Sequence, residues 1–379
     1  MHTSPRAPGV LVLEDGTVYP GTTFGAPVEA AAEVVFNTGI TGYQEIATDP
    51  SYRGQMVVLT HPQIGNYGVN AAVAESTRPW VAALIVREFA RVPHHWRSVE
   101  SLEDYLARHG VPGLEDVDTR ALTRRLRTRG TMRGVLAPAP ASGLRAAFVE
   151  DLAARARALP PIGEQPVVQE VAGAAKGAVS GGSGGRVLVL DCGAKHNIVR
   201  SLERRGVEVA VIEPTASVDE VTALRPAGVV LANGPGDPAA LPPVVDFVRG
   251  LLGLDVPVMG ICLGHQLLAQ AAGATTSRLR YGHHGGNHPV KDLRTGRVYI
   301  TTQNHEFQVD AASLPAASGF AVSHVNLNDN SVEGIAHRER PIFSVQFHPE
   351  GCPGPQDNQY LFDYFLDNLV GGNARKAEE

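Results

Sequence analysis

Hydrophobic residues in the second half of the chain are grouped in short runs that stretches of helical length separate. The runs span residues 186–191, 207–212, 228–232 and 256–260. This rhythm predicts βαβ units and an α/β fold, in which mostly parallel strands place the ligand site at their carboxyl ends. Residues 275–335 alternate without helical length, which predicts an antiparallel excursion, and an amphipathic closing helix is predicted near Gln356–Leu369.

The first half of the chain has a different pattern. Short alternating runs such as Gly9–Leu13 and Gln55–Leu59 lie between turn clusters, which predicts a β-rich α+β domain. Glycine, alanine and serine dominate much of the segment between the halves, which predicts a flexible linker. The predicted organisation is an N-terminal domain over 1–160, a linker over 161–185 and a C-terminal domain over 186–379.

One helix is predicted clearly in the N-terminal domain, over residues 117–127. Asp118 or Thr119 is a suitable cap, and the apolar residues Leu122 and Leu126 lie on one face. The arginines of this segment then form an exposed basic face. Such a face is either simply solvated or contacts a partner protein.

Composition excludes several classes of protein. The 379 residues carry 33 lysines and arginines against 39 acidic residues, a net charge of −6, and no basic tract of the kind that follows a phosphate backbone. A chain of this length favours two domains. Neither a signal peptide nor a long apolar stretch is present, and three cysteines cannot all pair, so we expect a cytoplasmic protein that binds neither membrane nor nucleic acid.

The candidate nucleophile is Cys262, which stands between Gly260 and Gly264 directly after the apolar run Val256–Gly260. Small residues on both sides permit a sharp strand-to-helix turn that exposes the side chain between them. The thiol would lie at a helix N-terminus, which favours the thiolate. A buried structural cysteine remains the alternative for this pattern taken alone.

A candidate base and its orienting acid follow another strand-like run, 341–347. His348 could accept a proton from the thiol, and Glu350 could fix the tautomer of the imidazole. Pro349 locks the backbone between them. A surface histidine beside a solvated glutamate is the alternative.

A third strand-like run ends in the loop Asn233–Pro238. The backbone N–H of Leu263, with one from Gly234 or Gly236, could hold the oxyanion of a tetrahedral intermediate. An ordinary β-turn would use the same residues. The three signals lie at three strand ends, which favours one common site.

These residues resemble a class I (triad) glutamine amidotransferase, and the resemblance extends from about Arg186 to the C-terminal helix. Further matches in this half are Gln266, Gln303–His305 and Gly282–His288, and the last of these resembles the glutaminase chain of carbamoyl-phosphate synthetase most. In the N-terminal half, Phe36–Glu45, Thr48–Tyr52, Pro62–Gly68 and Asp118–Arg124 resemble the small chain of the same synthetase.

The resemblance implies a glutaminase site with Cys262, His348 and Glu350 as the catalytic triad. The residues it implies for glutamine binding are Ser51, Gly234, Gly236, Leu263, Gln266, Asn304, Glu306 and Phe307. Glu306 stands where many relatives have glycine. Its carboxylate could attract the ammonium of the substrate or repel its carboxylate.

The resemblance also implies a partner. Ammonia released from L-glutamine would pass through a tunnel to a large chain, which would make carbamoyl phosphate from bicarbonate and ATP for arginine and pyrimidine synthesis. The glycines of 172–185 precede a strand and are not a phosphate-binding loop, so ATP with Mg or Mn is expected in the large chain, and no cofactor in this one. A stand-alone glutaminase or γ-glutamyl hydrolase and a non-catalytic regulatory subunit remain alternatives.

Three histidines within six residues, His283, His284 and His288, raise the question of zinc. Their glycine-rich segment offers no cysteine and no helical pair of ligands. We therefore expect no metal, and polar loop packing near the glutamine pocket instead.

Overall fold

The computed structural model describes residues 6–173, 182 and 184–370, without the side chains of 368–370. These residues form two compact units. The N-terminal unit comprises the described residues up to Gln165 together with Arg280–His284, and the C-terminal unit comprises those of Pro166–Leu279 and from Gly285 onward.

The N-terminal unit is built on a barrel. Seven of its described strands close in the order β1-β2-β8-β6-β4-β3-β9, and the short strands β5 and β7 pair in parallel. This confirms the predicted β-rich domain. The strands are β1 Pro8–Leu13, β2 Val18–Gly25, β3 Ala30–Asn37, β4 Gln55–Leu59, β5 Gln63–Ile64, β6 Ala83–Ile85, β7 Glu88–Phe89, β8 Pro112–Glu115 and β9 Met132–Pro138.

Helices cover the barrel strands. The helices of this unit are α1 Tyr43–Thr48, α2 Leu102–Arg108, α3 Thr119–Arg129 and α4 Ala146–Ala158, with 3-10 turns at Pro50–Tyr52, Ala71–Val73 and Ile162–Glu164. Helix α3 confirms the predicted basic helix: the Ala121 N–H donates to the Asp118 carboxylate at 2.9 Å, and Leu122 and Leu126 are buried. Helix α4 packs against β1 and β9.

The C-terminal unit contains a mixed sheet. Nine of the described strands lie in the order β11-β10-β12-β13-β18-β17-β16-β14-β15. The first five strands of this order, β11, β10, β12, β13 and β18, pair in parallel. The pairs β18–β17, β17–β16 and β16–β14 are antiparallel, so the predicted βαβ units and the predicted antiparallel excursion are both present. The strands are β10 Arg186–Leu190, β11 Glu208–Ile212, β12 Gly228–Leu231, β13 Val258–Ile261, β14 Thr276–Asp292, β15 Val298–Val309, β16 Phe320–Asn326, β17 Val332–His337 and β18 Ile342–Val345.

Helices lie on both faces of this sheet. They are α5 Val167–Val171, α6 His196–Glu203, α7 Val218–Ala223, α8 Pro242–Leu251, α9 Leu263–Ala271 and α10 Tyr360–Asp363, which continues as a π-helix over Tyr364–Val370, with 3-10 turns at Pro238–Ala240, Ala311–Ser313 and Ala316–Ser318. Alternate residues of the parallel strands pack on α8 and α9 on one face and on α6 and the closing helix on the other. Within the described chain, no helix has the length and apolar character needed to cross a membrane.

Two boundaries differ from the prediction. The segment predicted to be a flexible linker begins with the turn Ile162–Glu164 and helix α5, in which Val167, Val168 and Val171 are buried. These apolar residues pack, so the prediction is wrong for this part. Residues 174–181 and 183 of the segment lie outside the described residues. The closing helix begins at Tyr360, later than predicted.

Candidate active site

Cys262 lies in a strained turn between β13 and α9. Its backbone has φ 55° and ψ −107°, a conformation that costs a non-glycine residue about 1–3 kcal/mol. A Cβ on Gly264 would lie 2.1 Å from the Leu231 carbonyl oxygen, and a Cβ on Gly260 would lie 2.8 Å from that of Gly264. Both positions therefore require glycine, and the strand-to-helix turn has the geometry predicted for a nucleophile elbow.

His348 and Glu350 follow β18, which pairs in parallel with β13. The His348 N–H donates to the Thr302 carbonyl at 2.9 Å, which fixes the start of the loop. Nδ1 of His348 lies 2.6 Å from Oε1 of Glu350, and both side chains are buried. The ends of two adjacent parallel strands thus bring the candidate nucleophile, base and acid to one edge of the sheet.

The charges of this pair depend on each other. Burial has the largest effect on both groups and opposes ionisation, but it is outweighed: Glu350 raises the pKa of His348, while Lys195 and His348 lower the pKa of Glu350. Among the described residues, Nε2 of His348 has no hydrogen-bond partner, yet the Cys262 thiol also raises the pKa of His348. Since Nδ1 faces Glu350, Nε2 is the atom available to the thiol.

Lys195 is a part of the site that the sequence analysis did not identify. Its Nζ lies 3.0 Å from Oε1 of Glu350, with 1% of the lysine side chain and none of the glutamate exposed. The backbone N–H of Lys195 donates to the side-chain oxygen of Asn233 at 3.1 Å. Lys195 follows β10, so it lies at the same sheet edge as the other strand ends and could have been found by that rule.

The loop after β12 approaches the start of helix α9. A Cβ on Gly234 would lie 2.2 Å from the Cys192 carbonyl oxygen and 2.8 Å from a methyl carbon of Leu263, while Gly236 has φ +90°. The Gly264 N–H donates to the Ala232 carbonyl at 3.1 Å and ties the loop to the elbow. Leu263 is the first residue of α9, where no helical carbonyl accepts its N–H.

The predicted glutamine-binding residues Asn304, Glu306 and Phe307 lie on β15 beside the elbow. The Cys262 thiol donates to the Asn304 carbonyl at 3.5 Å, and the Gln266 amide donates to the Phe307 carbonyl at 2.9 Å. Gln266 therefore holds this segment in place. The carboxylate of Glu306 accepts a hydrogen bond from Arg278 at 3.3 Å.

Ser51 belongs to the N-terminal unit, in the 3-10 turn Pro50–Tyr52. Its backbone N–H donates to the Asp49 carboxylate at 2.9 Å, and the residue is buried. Its assignment to glutamine binding stays a prediction.

The other two cysteines lie in different surroundings. Burial raises the pKa of the Cys192 thiol to about 12, which makes it a poor nucleophile. Cys352 is partly buried, and its sulfur accepts a hydrogen bond from the Asn197 amide at 2.9 Å. Neither occupies a strand-to-helix turn between glycines.

Comparison with known proteins places the chain in a family. Residues 11–136 match the family model described as carbamoyl-phosphate synthase small chain, CPSase domain, and residues 188–368 match glutamine amidotransferase class-I. The carbamoyl phosphate synthase small chain of Symbiobacterium thermophilum is 56% identical over 362 residues, which cover 93% of this chain and 96% of that one. This chain belongs to the carbamoyl phosphate synthase small chains.

Other members of the family are similar over nearly their whole length. The small chain of Nitratidesulfovibrio vulgaris strain Miyazaki F is 48% identical, with 94% of this chain and 96% of that one covered. The pyrimidine-specific small chain of Bacillus subtilis is 45% identical, with 95% of each covered. The resemblance that the motifs indicated is confirmed, and so is the pairing of a β-rich domain with an amidotransferase domain.

Proposed function

We propose that this small chain hydrolyses the side-chain amide of L-glutamine and supplies the ammonia to a large chain of carbamoyl phosphate synthase. One observation carries the proposal: the strained Cys262 elbow lies beside the buried His348–Glu350 pair, at the ends of adjacent parallel strands. The small-chain and amidotransferase matches support the same reaction class.

The chemistry is acyl transfer to sulfur. Cys262 attacks the γ-carboxamide carbon while Nε2 of His348 takes the thiol proton, and the imidazolium then protonates the leaving ammonia. Glu350 stabilises the imidazolium by accepting a hydrogen bond from its Nδ1–H group, which agrees with the raised pKa of His348. Water activated by His348 next attacks the thioester, which releases glutamate and restores the thiol.

Backbone groups would stabilise the oxyanion of both tetrahedral intermediates. The candidates are the N–H of Leu263 and a group of the Gly234–Gly236 loop, which the hydrogen bond from the Gly264 N–H to the Ala232 carbonyl holds near the elbow. Asn304 and Phe307 would contact the amino-acid end of glutamine, since their segment is bonded to Cys262 and Gln266.

The large chain would use the ammonia with bicarbonate and ATP to make carbamoyl phosphate for arginine and pyrimidine synthesis. ATP and its Mg or Mn ions would bind in the large chain, in a heterodimer in the cytoplasm. The name small chain among the relatives supports a larger partner.

The exposed arginines of α3 are the surface that we propose for this partner. Arg120, Arg124 and Arg127 lie four and three residues apart on one helix stripe, and no acidic group pairs with them in the described chain, whereas Arg125 binds Asp15. Like charges at such spacing destabilise a helix by about 0.2–0.5 kcal/mol per pair. An acidic surface of the large chain would remove this cost and provide specificity.

The test is reconstitution with a candidate large chain. Glutamine-dependent synthesis of carbamoyl phosphate should require both chains, and Cys262→Ala should abolish it while synthesis from added ammonia persists. Full glutamine turnover by the isolated chain, unchanged by the large chain, would favour a stand-alone glutaminase. Glutamine-dependent synthesis that survives Cys262→Ala would favour a non-catalytic subunit.

A further inference from the structure

Glu306 is a buried acidic residue of the strand segment that contacts Cys262 through its backbone. Only 7% of Glu306 is exposed to solvent, and residues on either side of it form hydrogen bonds with residues of the active site. On one side the Asn304 carbonyl accepts from the Cys262 thiol, and on the other the Phe307 carbonyl accepts from Gln266. A charge at this position acts on any substrate bound to Cys262, because buried charges are weakly screened.

Arg278 on β14 supplies the opposite charge. Its Nη2 donates to Oε2 of Glu306 at 3.3 Å, and its guanidinium carbon lies 5.9 Å from the centre of the Phe307 ring. The arginine side chain is 34% exposed, so water reaches the cation but hardly the carboxylate. Arg278 thus contacts two neighbouring residues of the segment at once, one by an ion pair and one over an aromatic face.

From this geometry we propose that Arg278 is a positioning residue of the glutamine site, which keeps the Glu306 carboxylate neutralised and away from the substrate. The inference rests on the proposed glutaminase function. Glutamine carries an α-carboxylate at the end remote from the reacting amide. Without Arg278, the negative charge of Glu306 would repel that carboxylate, whereas the guanidinium of Arg278 offsets this charge and leaves the segment able to accept it.

The experiment uses the full chain with its large chain and measures glutamine hydrolysis in Arg278→Ala, Glu306→Gln and the double variant. We expect Arg278→Ala to raise KM for glutamine about tenfold with kcat nearly unchanged. This is less than the roughly thirtyfold that loss of a fully buried charge partner causes, because 34% of the Arg278 side chain is exposed. Glu306→Gln should lower KM for glutamine, because the remaining cation favours a carboxylate. The double variant should return KM to within about threefold of wild type, since it restores neutrality.

A second substrate separates charge from packing. L-Glutamine α-amide lacks the carboxylate, so Arg278→Ala should impair its hydrolysis much less than that of glutamine. A purely structural role of Arg278 would impair both substrates equally. Arg249→Ala is the matched control, because Arg249 is an exposed arginine on α8 paired with Asp246. Thermal unfolding of each variant verifies that it is folded.

Three results would overturn the inference. They are an unchanged glutamine KM in Arg278→Ala, a double variant as impaired as Arg278→Ala, and equal impairment of glutamine and its α-amide in Arg278→Ala. In each case the wild-type complex still hydrolyses glutamine, so the proposed function stands. A wild-type complex without glutaminase activity would overturn the proposed function instead.

Discussion

Replacement of Lys195 by methionine should show how much the buried Lys195–Glu350 ion pair contributes to the free energy of unfolding. Lys195 and Glu350 form an ion pair at 3.0 Å with almost no exposure to solvent. A broken buried pair costs about 3–5 kcal/mol, and because Glu350 keeps His348 as a partner at 2.6 Å, we expect the low end of this range, about 3 kcal/mol. At about 2–4 °C per kcal/mol for a unit of this size, Lys195→Met should lower the unfolding midpoint of the C-terminal unit by roughly 10 °C, measured by calorimetry.

A double-mutant cycle refines this measurement. Glu350→Gln should also destabilise the unit, because it leaves the Lys195 ammonium buried, and the double variant should cost less than the sum by about 2–3 kcal/mol. Lys291→Met is the control, since no acidic partner is described for that lysine on β14. If the losses of unfolding free energy in the two single variants add up to that of the double variant within about 0.5 kcal/mol, the two residues have no energetic link.

Three further predictions concern the partner surface, acid stability and the elbow. Charge reversal of Arg124 and Arg127 should weaken binding of the large chain about tenfold or more and reduce its salt dependence, whereas Arg145→Glu should not; unchanged affinity by surface plasmon resonance would contradict the assignment. Burial lowers the pKa of His324 to about 4, so the stability that neutral His324 contributes is complete above pH 6.5 and is lost as pH falls toward 4, by up to about 3 kcal/mol. Chemical unfolding across this range should show a flatter curve for His324→Gln, and an unchanged curve would be evidence against the shift. Gly264→Ala should impair folding, since its Cβ would meet the Leu231 carbonyl at 2.1 Å, while Gly286→Ala, whose Cβ makes only ordinary contacts, should fold normally by circular dichroism.

Local patterns predicted the parts of the site that lie at strand ends. Cys262 and His348 each follow a short apolar run, and the strand-end rule places such positions together without knowledge of the pairing. Gly260 and Gly264 were informative because the requirement for glycine arises from nearby backbone. A Cβ at either position would lie too close to a backbone carbonyl.

Contacts between distant residues could not be predicted in this way. Lys195 looks like a solvated lysine in the sequence, and only the fold shows that Glu350, far along the chain, buries it. The partner of Glu306 is likewise on another strand, 28 residues earlier. The prediction of a flexible linker failed in the first part of the segment. Val167, Val168 and Val171 lie in a short helix, and its burial depends on packing against the sheet, which the local sequence does not show.

The identity of the acylated residue decides directly whether Cys262 is the nucleophile. The complex is mixed with L-glutamine, quenched in acid during turnover and digested, and the cysteine-containing peptides are analysed by mass spectrometry. We expect a γ-glutamyl thioester on the peptide that contains Cys262, and none on those that contain Cys192 or Cys352. Steady glutamine hydrolysis with no acylated Cys262, or with the glutamyl group on another cysteine, would contradict this expectation.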